Sequence, residues 1–128
     1  MFKRLFLAAL LVLSVHAEAA IVGNPVPALQ SGAAASSLVL STTTANLYSA
    51  QVAIGSSAGY AMLFNSATAP ADGAVTPVLC VYVPANTTAN LSFPNPVPFS
   101  TGITIVSSST GCFTKTAANA NFLSAQVR

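Results

Sequence analysis

Few residues in this chain could do chemistry, and the most suggestive sit in "SSTGCFTKTAANANF", Ser108 to Phe122, where Cys112 stands three positions before Lys115. A thiol beside an ammonium is the setting of a reactive thiolate. It is equally the setting of a stapled turn. In an extended strand, residues three apart point to opposite faces, so only a turn would bring Lys115 to Cys112. The other cysteine, Cys80, lies in "VLCVYV" (78–83). Two cysteines in an exported chain ordinarily pair, so Cys80 and Cys112 are expected to form a disulfide. Closing that loop would contribute roughly 3.5–4 kcal/mol by chain entropy. Buried free thiols and a reactive Cys112 are the alternatives.

The remaining side chains limit what catalysis the chain could support. Its charged residues are Lys3, Arg4, Glu18, Asp72, Lys115 and Arg128, and its one histidine is His16. "MFKR", then the apolar run "LFLAALLVLSV", then "HAEAA" is the order of a secretory signal peptide. The apolar run is shorter than the roughly 20 residues of a spanning helix. Cleavage is expected between Ala19 and Ala20, with Ala17 as the second choice. Residues 20–128 would then hold no His and no Glu. General acid–base catalysis needs a group poised near working pH, a glycosidase needs two carboxylates and a zinc site about four ligands. Asp72 alone, in the turn-like "PADG", supplies none of these. No phosphate-binding or dinucleotide fingerprint is present. A non-enzymatic protein without cofactor or metal is expected.

Apolar residues make up 53% of the chain and charged residues 5%, which is the reverse of a disordered composition. Ser, Thr, Asn and backbone must therefore form the surface. Weak net charge favours association, so a homo-oligomer or larger assembly is expected. No basic patch suits nucleic acid. After cleavage no membrane span would remain.

These residues need a scaffold, and the chain spells an all-β one. Residues 20–35, with "IVGNPVPALQSGAAA" (21–35), read as an extended N-terminal arm. From Ser36 on, short β-branched and aromatic runs alternate with turn residues. Strands are expected at "SLVLST" (37–42), "NLYSAQVAI" (46–54), "YAMLFN" (60–65), "VLCVYV" (78–83), "ANLSF" (89–93), "GITIVSSS" (102–109), after "TGCF" (110–113), and at "NANFLSAQV" (119–127). In the second of these, Tyr48, Val52 and Ile54 are expected on one face. It should form a hairpin with "YAMLFN" across "GSSAG". "VLCVYV", apolar on both faces, should be the central covered strand. "PNPVP" (94–98) should carry the chain between sheets, because proline cannot continue a ladder. No clear internal repeat stands out. About eight strands make a single antiparallel β-sandwich over 36–128, jelly-roll or immunoglobulin-like, behind a helical signal peptide (1–19).

Asn86 and Asn90 stand in N-x-S/T sequons, which matter only in a glycosylating host. Tyr48, Tyr60 and Tyr82 could stack on a glycan or pack in an interface.

Two stretches, "NLYSAQVAIGSSAGYAMLFNSATAPADGAVTP" (46–77) and "PFSTGITIVSSSTGCFTKTA" (98–117), resemble a group of small phage- and prophage-encoded proteins. The resemblance runs from about Asn46 to Arg128. It implies a small β-sandwich virion accessory of decoration or fibre type, located in the virion, and carries no catalytic residue. The leader departs from that group's pattern and points to Sec-type export to the periplasm or the extracellular space. An exported carbohydrate- or cell-surface-binding module is the alternative.

Overall fold

The computed structural model describes residues 26–128. The expected signal peptide (1–19), its expected cleavage point at Ala19 and Ala20, and residues 20–25 of the expected arm lie outside the described residues. Ten strands follow one another: β1 Ala28–Gln30, β2 Ser37–Ser41, β3 Ala45–Ala53, β4 Gly59–Phe64, β5 Gly73–Ala74, β6 Leu79–Val83, β7 Thr88–Phe99, β8 Ile103–Ser108, β9 Thr114–Lys115 and β10 Phe122–Val127. β1 falls within the arm segment, where it pairs with β10.

The strands form two antiparallel four-stranded sheets, ordered β1-β10-β3-β7 and β2-β8-β4-β6, and a two-stranded ribbon, β5-β9. With the ribbon strands set aside, the chain's first half pairs with its second half in reverse order. β1 pairs with β10, β2 with β8, β3 with β7 and β4 with β6. This is one long nested hairpin, wound so that β10 also meets β3 and β4 also meets β8.

Period-two alternation builds the core. Leu47, Ala50, Val52, Leu123 and Ala125 of the first sheet and Leu40, Leu63, Val83, Ile103 and Ile105 of the second are buried in a single apolar cluster. The second sheet is covered on its other face too. Met62, Phe64 and Val106 form a smaller cluster there with Tyr60, Val75 and Cys80. Val75 comes from the loop that carries the ribbon, so the ribbon segment lies over this face. β4 and β8 are consequently buried almost throughout.

Four expectations are corrected. β3 and β4 do not form a hairpin. They lie in different sheets, because the loop over 55–58 carries the chain from one sheet to the other. "VLCVYV" is not central, since β6 is an edge strand paired only with β4. Its outward apolar residues are explained by Cys80, which is spent in a disulfide, and by Tyr82, which meets Tyr60 edge-on with ring centroids 5.5 Å apart. "PNPVP" does not change sheets. β7 runs through it along the edge of the first sheet and absorbs Phe93–Pro96 as a bulge opposite Tyr48, between the Ser49↔Ser92 and Leu47↔Val97 pairs. Proline is tolerated on such an edge. That same irregularity moves β3 out of phase, so Leu47 rather than Tyr48 is buried with Val52 and Ile54.

Candidate functional site

The disulfide region carries a covalent bond, an ion pair and several hydroxyl bonds. Cys80 on β6 and Cys112, in the turn before β9, are joined with Cα atoms 5.7 Å apart. Both thiols are therefore consumed, and no reactive thiolate stands beside Lys115. Lys115 instead binds a carboxylate. It is buried on β9, where its Nζ donates to Asp72 Oδ1. Asp72 Oδ1 also accepts the backbone N–H of Ala117 at 3.1 Å. The Lys115 ammonium first, and that N–H second, hold the Asp72 carboxyl below its ordinary value. "PADG" thus does more than turn the chain, because its carboxylate neutralises the one buried cation of the described residues.

Hydroxyls finish the clasp. Ser108 Oγ accepts from Thr116 N–H at 3.0 Å, and Thr110 Oγ1 donates to Thr114 O at 2.6 Å. Both bonds to Asp72 end on Oδ1, beside the oxidised cysteine pair. This arrangement holds the ribbon in place. Among the described residues, no group of three or more His, Cys, Asp or Glu side chains could hold a metal.

The three tyrosines are not brought together. Tyr60 and Tyr82 pair across β4 and β6, with Tyr82 exposed and Tyr60 half-buried. Tyr48 is half-buried at the bulge in the other sheet. Asn86 takes a left-handed backbone, φ 55°, and is exposed. Asn90 is engaged, since its Oδ1 accepts from Gln51 Nε2 at 2.8 Å.

The outer face of the first sheet was not anticipated. Two cross-strand rows run over it, one of Gln126, Ser49 and Ser92, the other of Gln30, Ser124, Gln51 and Asn90. Ser49 Oγ donates to Gln126 Oε1 at 3.1 Å. A shallow hollow of about 340 Å³ opens between the rows. No charged side chain belongs to either row. The signal for this face was a repeat, "SAQV" at 49–52 and again at 124–127. In the antiparallel pair the two copies align about a local two-fold, Ala50 opposite Ala125, Ser49 opposite Gln126, and Gln51 opposite Ser124. The alanines face the core while the serines and glutamines face out.

The chain matches no protein-family profile, no curated protein and no solved structure.

Proposed function

We propose that this chain is a non-catalytic structural or interaction protein. It is a jelly-roll β-sandwich that assembles through uncharged β surfaces, most concretely as a virion-associated accessory subunit of decoration or fibre type. The nested pairing order supports the jelly-roll form over the immunoglobulin-like one, because a jelly roll is an eight-stranded double-sheet fold of this kind. Fold alone does not carry function.

The observation that carries the assembly role is the amide and hydroxyl face of the first sheet. Ser, Gln and Asn side chains in register offer both donors and acceptors. Without charge, nothing repels a second such face. The disulfide supports export to an oxidising compartment.

The test is light scattering coupled to size exclusion on oxidised residues 20–128, with Gln51→Lys and Ser124→Lys introduced together as the comparison. A defined multimer that dissociates in the double variant is expected, because contact through this face would bury two ammonium groups without partners. A wild-type monomer at every concentration sinks the proposal. One feature favours the alternative of an exported glycan- or cell-surface-binding module, namely the exposed ring of Tyr82 against Tyr60. In that case the monomer would be retained on an immobilised glycan, and Tyr82→Ala would not.

A further inference from the structure

We propose that the ribbon is a redox-operated cover over the outer apolar face of the second sheet. It is locked down while Cys80 and Cys112 are bridged, and released when a dithiol reduces them. This is independent of the assembly role, which concerns the outer face of the first sheet. The ribbon's two legs, residues 72–75 and 112–117, are bound chiefly to each other. They share the Gly73↔Lys115 and Ala74↔Thr114 pairs and the bond from Val75 N–H to Phe113 O at 3.1 Å. Both bonds to Asp72 Oδ1, from Lys115 Nζ and from Ala117 N–H, also run from leg to leg. The ion pair therefore makes the ribbon one body without fastening it to the sheet beneath.

The fastenings to the second sheet are few. The legs rejoin it at their roots, where Val78 N–H donates to Leu63 O at 2.8 Å and Ser109 N–H to Thr116 O at 3.0 Å. Between the roots, Val75 is the ribbon's one member of the apolar cluster of Met62, Phe64 and Val106. The disulfide is its cross-link to β6. Cys80 and Cys112 are half-buried, and Phe113 and Thr114 beside the bridge are exposed, so the bridge lies toward the surface. In reduction, a thiolate of the dithiol attacks one sulfur, and the other sulfur leaves as a thiolate and takes up a proton. The dithiol's second thiol then attacks the mixed disulfide and frees the second cysteine. The protein gains two electrons and two thiols, and the dithiol closes as a disulfide. Without the bridge, a two-stranded ribbon resting on one valine is marginal in water. It lifts about its roots as a local opening. Met62, Phe64 and Val106 are then uncovered. Tyr60 lies opposite Tyr82, as Met62 lies opposite Cys80, so the uncovered side chains join the exposed ring of Tyr82 in one apolar surface. A contiguous surface of that kind is a place of association. The chain thus shows this surface in a reducing compartment and covers it in an oxidising one.

The experiment compares oxidised residues 20–128, the same protein in excess dithiothreitol, and the reduced protein after reoxidation. Native-state amide hydrogen exchange and the fluorescence of an apolar dye, anilinonaphthalene sulfonate, are read on each. Reduction is expected to speed exchange at the Val75 N–H about tenfold or more while the amides of β3 and β8 stay protected, and to raise dye binding. Reoxidation should reverse both. The Cys80→Ala, Cys112→Ala double variant should bind the dye equally with and without dithiothreitol, which assigns the effect to the bridge rather than to the reductant. Unchanged exchange at Val75 after complete reduction overturns the proposal. So does loss of protection in β3 and β8 together with Val75, which would be unfolding rather than release of a cover. A bridge that dithiothreitol does not reduce in the folded protein, or equal dye binding in the oxidised and reduced forms, overturns it as well.

Discussion

Replacing both cysteines, Cys80→Ala with Cys112→Ala, tests how the disulfide stabilises this fold. The bridged residues are 32 positions apart, and the enclosed chain contains β6, β7 and β8. Freeing a loop of that length in the unfolded ensemble costs about 3.7 kcal/mol of stability at 25 °C, or a fall in Tm of roughly 15–30 °C for a domain of this size. The structure also specifies where the loss appears first. β7 stays paired with β3, and β8 with β2 and β4, so the sheets keep their ladders. The ribbon has only the Gly73↔Lys115 and Ala74↔Thr114 pairs of its own, and a two-stranded ribbon is at best marginal in water. The bridge ties its return leg to the edge strand β6. Thermal unfolding by circular dichroism and amide hydrogen exchange on the oxidised wild type and the double variant would separate the two effects. The Tm should fall as stated, and the Val75 N–H, bonded to Phe113 O at 3.1 Å, should lose protection before any amide of β3 or β8. A Tm change under about 5 °C would refute the chain-entropy account. Unchanged protection at Val75 would refute the clasp.

Two further predictions concern single residues. Asp72→Asn should lower the Tm at pH 7 more than Lys115→Met does, because the first leaves a buried ammonium without its carboxylate and the second leaves an exposed carboxylate that water solvates. Since the Asp72 pKa is lowered on folding, its contribution is present above the unfolded carboxylate value of about 4 and is lost as pH falls through the lower folded one. Thermal scans from pH 7 to pH 2 should therefore show wild type and Asp72→Asn converging in acid; a gap that persists at pH 2 would assign the effect to something other than the carboxylate. Gly102→Ala should cost about 3 kcal/mol in urea unfolding, because its Cβ would meet Ser41 O at 2.6 Å and the Ala67 backbone at 2.9 Å. A loss under about 1 kcal/mol would mean that this junction gives way easily.

Strand positions were legible because alternation and turn residues are local. "SLVLST", "YAMLFN" and "GITIVSSS" each became a strand within a residue or so of its expected bounds. The pairing of Cys80 with Cys112 followed from there being two cysteines in a chain expected to be exported. Pairing between strands was not legible, because nothing local distinguishes a hairpin loop from a crossover. "GSSAG" has the residues of either, and the nested order is decided by which edges remain free once the whole chain has wound. The covered strand was misassigned for a related reason. "VLCVYV" and "YAMLFN" are both apolar on two faces, and only the pairing of β4 with both β6 and β8 makes β4 the interior strand and leaves β6 at the edge.

The edges of the sheets bear on how such a chain would assemble. An unpaired edge invites open-ended strand addition, and with three charged side chains in residues 26–128 this protein has almost no charge with which to block one. Each edge is limited by other means. β1 is only three residues long. β2 slips register between Val39 and Ser41. β7 carries Pro94, Pro96 and Pro98 and a four-residue bulge, and proline offers no N–H to a newcomer. β6 is tied through Cys80 to the turn at Cys112. The broad face of the first sheet has no comparable obstruction, and its two rows of neutral amides and hydroxyls lie in register across as many as four strands. Contact through that face buries a bounded surface and stops, whereas contact through an edge can propagate. On the proposed assembly role, this difference favours a closed oligomer or a fixed place on a larger shell over a fibre built by strand addition.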